Sequence, residues 1–539
     1  MIFLRLGSKL LQGLCVLCFL HFRANCFCLR PHSHRTISRS RLKAETWLQS
    51  FFRTGSDSDP SDIGGSSNLN LPRSQYDTVI IGGGLAGLSC GIELSKKADQ
   101  SSFAIIESCS KCGGRVQTDI HPDGYLLDRG FQVFIEEYPE IKAIFENDYT
   151  ALDLKQFLPG ALVHYDDSFH LVSDPFRRPQ DIIASVISPI GSFIDKAKVG
   201  LFSVAIRFMS IKDIFEQEEK STLAFLQDDI SGGISSKMIE RFFNPFYQGI
   251  YLSPLSMQSS RMFKFAFKMF TEGAASLPSK GIGQIGEVLV TKVPENSIKL
   301  NTKAVSLERV NVKTGEGENT KTKFEIIIVN NAGKREVLEC NSAVLAMDPT
   351  NTATLLKNSK TVDGSRDMSI IPESRSSICL YFGIPGKPPI QNPLLVLNGE
   401  SDLNRNNGPG VINNICFPSQ VSDEYAPKGK SLCSVTVVPG PNETFPEDNE
   451  IETFVRQQLT NWFGSNANID QWKFLRCYKI DYAQPAQNPP YQRDLNVQLE
   501  NEDGVYICGD YRVREYALGL ELWLYLYSIV VMFHYYLKY

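Results

Sequence analysis

The feature that most limits how this chain can fold is a glycine-rich turn that joins an apolar strand to a helix. Thr78–Ile81 is a short β-branched run, typical of a buried parallel strand, and it leads directly into G-G-G-L-A-G at residues 82–87. An apolar stretch suited to a helix follows through Ser95, and Phe103–Ile106 predicts a second strand. This order predicts a β-α-β unit and therefore an α/β fold.

The spacing of the glycines favours a dinucleotide-binding turn. Gly82 permits the tight turn, Gly84 lets the backbone approach a pyrophosphate, and Gly87 lets the helix pack closely on the strand. Leu85 and Ala86 open the helix, so their N–H groups and the positive end of the helix dipole would face the phosphates. We therefore predict that a dinucleotide binds at this turn.

Glu107 ends the second strand about 20 residues after Gly87, where a carboxylate can bind a ribose hydroxyl. Its charge would repel a 2′-phosphate, which argues against NADP, but the turn alone does not distinguish FAD from NAD. A second G-x-G-x-x-G, at residues 281–286, follows S-L-P-S-K rather than a buried strand. We therefore expect a single dinucleotide unit.

A C-x-x-C sequence lies just after Glu107, at Cys109 and Cys112, and has the spacing of a redox dithiol or of half a zinc site. No second cysteine pair or histidine pair at zinc spacing lies nearby. We predict no metal site and no thiol chemistry here, and the two cysteines are expected to be bystanders.

The residues after this pair resemble a known family. Gly113-Gly114-Arg115-x-x-Thr118 and then G-Y-L-L-D-R-G-F-Q-V-F at residues 124–134 resemble the FAD-dependent amine oxidase superfamily, which includes flavin-containing amine oxidases, protoporphyrinogen oxidase and phytoene desaturase-like enzymes. The D-R-G-F-Q-V run resembles one poorly characterised branch. The resemblance implies FAD as the cofactor, with Gly114 and Arg115 along its diphosphate, where a guanidinium can bind two phosphate oxygens.

Further segments resemble the family in the same order. They are FFNPFYQGIYL (242–252), SLPSKGIGQIGEVL (276–289), NTKAVSLERV (301–310), SAVLAMDP (342–349) and GVYICGD (504–510). The resemblance implies that Val305 lies beside the adenine and that Gly509 and Asp510 reach the ribityl chain, where Asp510 would accept a hydrogen bond.

The resemblance also implies an interleaved architecture. A Rossmann-type FAD-binding domain would be assembled from residues 76–135, 276–350 and 500–539, and an α+β substrate domain from residues 136–275 and 351–499. Within the latter, FKFAFKMF (263–270) has apolar residues at nearly every second position. We expect a helix or strand packed in the core there, with the lining of a hydrophobic pocket as the alternative.

The N-terminal residues 1–44 have the composition of a targeting leader. They hold eight Lys or Arg and no Asp or Glu, and an apolar run at Leu10–Phe22 precedes an Arg- and Ser-rich stretch. This signal-plus-transit pattern predicts plastid import through a bipartite leader, with secretion, a signal anchor or another organelle as alternatives. Residues 45–75 are rich in Ser, Asp, Gly and Asn, which predicts a disordered linker before a folded body that begins at Tyr76.

The C-terminal residues depart from the family. After Asp510 the family continues with small residues and glycines, whereas this chain has an apolar stretch at Leu518–Phe533 that contains Glu521. Three interpretations remain open: a tail anchor giving membrane association, a divergent buried helix, or a misjoined coding segment that leaves the flavin site incomplete.

The charge balance and the chemistry-bearing residues narrow the function. The whole chain has a formal charge of −5, so the part after the basic leader is strongly acidic and a poor partner for nucleic acid. No Ser-His-Asp or Cys-His arrangement is evident, and we assign no catalytic residue and no oligomeric state. The prediction is an FAD-dependent oxidoreductase that takes a hydride from an amine, polyene or porphyrinogen onto flavin N5.

An apolar substrate is favoured, because the lysine and the aromatic pair of the amine-oxidising members are not located. An NAD-linked dehydrogenase and a catalytically impaired flavin-fold binding protein are the alternatives.

Overall fold

A computed structural model describes residues 71–96, 102–230, 232–313, 320–363, 373–400, 412–440, 445–490, 498–499 and 502–511. The predicted leader, nearly all of the predicted linker and the apolar C-terminal segment lie outside these residues. Within the described ranges, no helix has the length and apolar character needed to cross a membrane.

The described chain contains both strands and helices, in groups of one to several consecutive elements of each kind. The strands are β1 (Arg73–Ile81), β2 (Phe103–Ile106), β3 (Thr118–Ile120), β4 (Leu126–Asp128), β5 (Phe134–Ile135), β6 (Lys155–Gln156), β7 (Gly160–Tyr165), β8 (Ser168–Ser173), β9 (Ala275–Leu277), β10 (Ile298–Lys299), β11 (Thr302–Lys313), β12 (Thr320–Asn330), β13 (Arg335–Leu345), β14 (Ser374–Pro385), β15 (Leu395–Asn398), β16 (Ile412–Cys416), β17 (Lys430–Val437), β18 (Lys473–Pro485) and β19 (Val505–Ile507). The α-helices are α1 (Leu85–Lys96), α2 (Pro139–Phe145), α3 (Ile182–Ile187), α4 (Phe193–Arg207), α5 (Ile211–Glu216), α6 (Thr222–Asp228), α7 (Ser236–Met238), α8 (Asn244–Tyr251), α9 (Ser260–Glu272), α10 (Gln284–Thr291), α11 (Pro349–Asn358), α12 (Pro418–Val421) and α13 (Asp448–Phe463), and a π-helical turn at Ile239–Phe243 leads into α8.

The first large sheet carries the glycine-rich turn. Strands β10, β2, β1, β13 and β19 run parallel in that order, and β11 and β12 extend the sheet from β13 as an antiparallel pair. The residues of β1 and β2 next to the turn, Val79–Ile81 and Ala104–Ile106, are all buried, as expected for central parallel strands. The sheet therefore unites segments from the two ends of the described chain.

The predicted start of the folded body was wrong by three residues, because β1 begins at Arg73 rather than Tyr76. The long strand β13 provides the reason, since Arg73 pairs in register with Val337. The Arg73 guanidinium also lies 2.7 Å from the carboxylates of Glu325 and Glu339. The last residues of the predicted linker thus belong to a strand.

The second large sheet has seven strands in the order β18-β14-β17-β16-β15-β7-β8, antiparallel except for the β15–β7 pair. Helix α9 contains the FKFAFKMF segment and buries Met262, Phe263, Phe265, Ala266 and Met269. That segment is therefore a core helix, as the first of the two sequence interpretations predicts.

Strand β18 carries a bulge that matters for the site. Arg375 of β14 pairs with Gln484, but Ser377, two residues further on, pairs with Ile480. Between these two pairs, strand β18 therefore has two residues more than β14. Tyr482 and Ala483 lie in this stretch of β18. Bulges of this kind redirect side chains and backbone groups away from regular pairing.

Candidate functional site

Two positions of the glycine-rich turn require glycine, Gly82 because of its backbone conformation and Gly87 because of close packing. Gly82 has a φ of +113°, and a Cβ there would lie 2.4 Å from the carbonyl oxygen of Ala346. A Cβ on Gly87 would lie 1.9 Å from the carbonyl oxygen of Gly82, because α1 packs directly on the turn. The N–H of Gly82 donates to the carbonyl of Ile106 at 2.8 Å, which ties the turn to the end of β2.

Gly84 differs from these two glycines because its missing side chain would point into open space. Among the described residues, a Cβ on Gly84 would meet only the Cα of Gly114, at 3.8 Å. The N–H of Gly113 donates to the carbonyl of Gly83 at 2.9 Å, so the two glycine-rich loops join through their backbones. Leu85 opens α1 beside them, and the N–H groups of a helical first turn have no partner within the helix.

Glu107 lies at the end of β2 and is buried. One carboxylate oxygen accepts from the N–H of Gly83 at 2.7 Å, and the other accepts from the N–H of Cys109 at 2.7 Å. Each carboxylate oxygen can accept a further hydrogen bond, so the group can hold the turn and still bind a hydroxyl. The backbone carbonyl of Glu107 accepts from the N–H of Thr302, which brings the start of β11 alongside.

Val305 lies a few residues further along β11, at the point where its pairing with β12 shifts register between Ala304 and Ser306. Its side chain is half-buried. The sequence prediction places Val305 beside an adenine, and the structure puts it on a strand that begins next to Glu107.

Arg115 and Asp510 meet in the structure. The Arg115 guanidinium lies 2.6 Å from a carboxylate oxygen of Asp510 and donates to the carbonyl of Ala483 at 2.9 Å. The hydroxyl of Tyr482 donates to the other Asp510 oxygen at 3.0 Å, and the guanidinium lies over the Tyr482 ring, 5.0 Å from its centre. The resemblance assigned Arg115 and Asp510 to different parts of a cofactor, and the structure adds that they contact each other.

Gly509 precedes Asp510 and is also restricted by packing. A Cβ there would lie 2.1 Å from the ring of Tyr511, which is fully buried. The Tyr511 hydroxyl hydrogen-bonds to the hydroxyl of Thr352 at 3.0 Å. Tyr511 thereby anchors the end of the described chain against α11 and holds Asp510 in place.

Sequence reasoning missed Tyr482 and Ala483, which contact the Arg115–Asp510 pair. Neither belongs to a recognised motif, and Ala483 acts through a backbone carbonyl that any residue would supply. The bulge that brings them there depends on the pairing of β14 with β18, which the sequence pattern does not reveal.

Thr118 and Asp128 connect the G-G-R and D-R-G-F-Q-V motifs. Their side chains hydrogen-bond at 2.5 Å, and Asp128 also accepts from the N–H of Ile282 at 2.9 Å and from the Tyr425 hydroxyl at 2.7 Å. Burial raises the pKa of Asp128 to about 6, although these hydrogen bonds lower it. This network packs the glycine-rich run at residues 281–286 against the G-G-R-x-x-T segment, since the N–H of Gly283 donates to Thr118 at 2.8 Å.

The environment of Cys109 and Cys112 disfavours thiolate chemistry. Both are free cysteines, and burial, followed by the negative charge of Glu107, raises the pKa of Cys112 to about 12. The same causes raise the pKa of Cys109. Within the described ranges, no three His, Cys, Asp or Glu side chains are grouped closely enough to hold a metal.

These residues fit a flavin dinucleotide. Gly84 and Gly114 leave room that a side chain would fill, a helix N-terminus faces that room, and a carboxylate and a guanidinium lie on either side. A glycine floor with helix N–H groups suits phosphates, and a buried carboxylate suits a ribose hydroxyl.

The chain was compared with known protein families, curated sequences and solved structures. The family described as flavin containing amine oxidoreductase matches residues 85–520. No curated protein matches by sequence.

Solved structures share the fold at low identity. An oxidoreductase from Methanosarcina mazei is 16% identical over 86% of this chain and 100% of its own, with a TM-score of 0.62. A protein from Exiguobacterium sp. 255-15, provisionally named a protoporphyrinogen oxidase, is 16% identical over 88% and 100%, with a TM-score of 0.60. A putrescine oxidase bound to putrescine is 11% identical over 86% and 100%, with a TM-score of 0.57.

The family match covers most of the chain, and the mixed sheets of the structure agree with the fold of these neighbours. The predicted family and fold class are therefore confirmed. The chain belongs to the flavin-containing amine oxidoreductase family and is a flavin-dependent oxidoreductase.

Proposed function

We propose that the protein binds FAD and oxidises an organic substrate by hydride transfer to flavin N5. The observation that carries the proposal is the contact of Arg115 with Asp510 beside the Gly84–Gly114 surface. The glycine turn, residues 107–115 and Asp510 together supply an open backbone surface, a cation and two carboxylates. When bound, the flavin supplies the two-electron chemistry, and the protein supplies orientation and electrostatics.

Each residue has a role set by its position. Leu85 and Ala86 would offer N–H groups to the diphosphate, and the open face of Gly84 would admit it. Arg115 would compensate its charge, and Glu107 would hold a ribose hydroxyl. Asp510, fixed by Tyr482, would accept from a ribityl hydroxyl.

NAD is the other cofactor that a dinucleotide turn can bind. NAD carries a diphosphate as FAD does, so Arg115 suits either cofactor. Only FAD has a ribityl chain, which gives Asp510 a role that NAD does not. The family match also concerns flavin enzymes. The flavin is therefore the better-supported cofactor.

The test is to purify the full chain and record its visible spectrum before and after denaturation. We expect flavin bands in the native protein and free FAD in the supernatant after denaturation. A colourless protein that binds NADH would contradict the proposal in favour of a dehydrogenase. A colourless protein that binds neither flavin nor NADH would support the third alternative, a flavin-fold binding protein without catalysis.

The substrate that donates the hydride is an organic molecule of amine, polyene or porphyrinogen type. These classes can be separated by mixing the oxidised protein with each compound without oxygen and following bleaching of the flavin bands. Bleaching by one class identifies it, because reduction of the flavin requires hydride transfer from that compound. If all three leave the flavin oxidised, this choice of substrate classes is wrong.

The leader supports a separate proposal, plastid import. Its basic, acid-free composition is the only support. Residues 1–75 fused to a fluorescent protein should accumulate in plastids of an alga with secondary plastids. Secretion of the fusion would contradict this.

A further inference from the structure

Arg375, near the start of β14, carries a buried charge, and the described residues provide no buried counter-ion close to it. Its side chain is 5% exposed, and the nearest carboxylate of the described chain, on the 80% exposed Glu373, lies 3.8 Å away. One guanidinium nitrogen donates to the side-chain oxygen of Asn488 at 3.0 Å, while Nε has no partner among the described residues. A buried cation in such surroundings is costly unless an anion joins it.

Gln484 of β18 lies directly opposite Arg375 in the β14–β18 pair. Directly opposed residues of antiparallel strands place their side chains on one face, with Cβ atoms about 5 Å apart. The amide nitrogen of Gln484 donates to the carbonyl of Ile250 in α8 at 2.9 Å, but its buried amide oxygen has no partner in the described ranges. One face of the strand pair therefore offers both a cationic donor and an unused acceptor.

This face adjoins the candidate flavin site. Ala483 and Tyr482, the two residues before Gln484, contact Arg115 and Asp510 through the bulge. Helix α8 contacts the same face, because the carbonyl of Ile250 accepts from Gln484. A molecule bound at this face would thus lie next to the residues assigned to the cofactor.

We infer that Arg375 and Gln484 anchor a substrate that carries a carboxylate and, next to it, an N–H or O–H donor. The carboxylate would accept from Arg375 and neutralise its charge, and the donor would bond the Gln484 oxygen. The inference rests on the proposed function and narrows its substrate class. A hydrocarbon polyene cannot supply the anion, and a simple amine would place a second cation beside the guanidinium.

The test uses three ring compounds that differ in charge: benzoate, benzamide and benzylamine. Calorimetric titration of the full-length protein should show benzoate binding at least tenfold more tightly than benzamide, and benzylamine more weakly than either. Benzoate should also shift the visible flavin bands, because it binds beside the cofactor. Equal affinity for the three compounds, or no binding of benzoate, would overturn the inference.

Substitution of the anchor gives the second measurement. Arg375→Gln should weaken benzoate binding at least tenfold and leave benzamide within twofold, and Arg375→Lys should retain part of the preference. Arg476→Gln is the matched control, because Arg476 is an exposed arginine on the same strand pair, and it should change neither affinity. A purely structural Arg375 would lower the thermal midpoint of its variants without changing the order of the three ligands, which contradicts the inference.

The proposed function and the role of Arg375 can be contradicted independently of each other. Absence of flavin overturns the proposed function, while the calorimetric comparison of benzoate and benzamide needs no flavin and still decides on Arg375. If Arg375→Gln does not fold, the wild-type comparison and Arg375→Lys decide.

Discussion

The guanidinium of Arg115 and the carboxylate of Asp510 form an ion pair at 2.6 Å, although they come from opposite ends of the described chain. Arg115 follows the loop that bonds to the glycine-rich turn, and Asp510 follows β19 at the far end. Their contact brings the loop after β2 and the end of β19 together at one site. It also makes the geometry of each residue depend on the other.

Breaking this pair should destabilise the protein in a non-additive way. Arg115→Gln leaves the nearly buried Asp510 carboxylate without its cation, and we expect a loss of about 1–3 kcal/mol in the free energy of unfolding. Arg115→Gln combined with Asp510→Asn should recover part of that loss. Chemical unfolding of the single and double variants measures this coupling.

The exposed Arg129–Asp119 pair is the control for this cycle. Its coupling should stay below about 1 kcal/mol because water screens it. If both cycles give the same small coupling, the Arg115–Asp510 pair contributes nothing specific to stability.

Alanine at Gly84 and alanine at Gly87 should have different consequences. Gly84→Ala adds a methyl group to open space, so the protein should fold with a nearly unchanged thermal midpoint but lose at least tenfold in FAD affinity. Gly87→Ala places a methyl group against the backbone of Gly82 and should destabilise the protein itself. Thermal unfolding and FAD titration of both variants separate the two effects, and full FAD affinity in Gly84→Ala would show that the opening binds no phosphate.

Asp128 should make stability fall as the pH rises. Its folded pKa of about 6 lies above the ordinary value of 3.8, so between these two values the folded protein binds more protons than the unfolded chain. Relative to Asp128→Asn, which cannot ionise, the wild type should lose about 3 kcal/mol between pH 4 and pH 6 and little above that range. Unfolding of both proteins across this range measures the difference.

Asp119 provides a comparison of opposite sign in the same hairpin. Burial alone would raise its pKa, but hydrogen bonds from Arg129 and Tyr478 outweigh that effect and lower it. The stability it contributes is therefore present above the ordinary pKa and lost as the pH falls. Parallel pH profiles of Asp128→Asn and Asp119→Asn would contradict both assignments.

The C-x-x-C pair should be dispensable for flavin chemistry. Cys109→Ser should leave flavin content and substrate turnover within twofold, because its thiol is exposed and its pKa is raised, and serine keeps a hydroxyl that can bond to Glu107. In the wild type, a thiol reagent at pH 8 should modify Cys109 well before Cys112, which is half-buried and has a pKa near 12. A larger loss of turnover in Cys109→Ser would indicate a redox role that the geometry does not support.

Local patterns predicted much of the fold. The β-branched runs and the glycine turn are local signals, so the strand at Phe103–Ile106 was predicted with its observed bounds. The start of β1 was not, because Arg73 becomes part of a strand only through its distant partner β13. The FKFAFKMF segment could not be assigned to helix or strand from sequence, since its spacing suits both and packing decides.

The roles of the candidate site residues toward a cofactor stay predictions. Gly84 and Glu107 were inferred from the spacing of the glycine turn, and Arg115 and Asp510 from the resemblance to the family. Tyr482 and Arg375 were missed, because a lone tyrosine or arginine on a strand carries no motif. Their positions follow from a strand pairing between residues that are about 110 apart, a separation at which sequence patterns give no guidance.

If Arg375 and Gln484 anchor the substrate, the two extra residues of β18 make strand length a determinant of specificity. Side chains alternate between the faces of a strand, so deleting a single residue at Tyr482 or Ala483 would turn Gln484 away from Arg375. The gain or loss of one residue in this strand would then change which substrate is anchored, with every motif of the cofactor site unchanged.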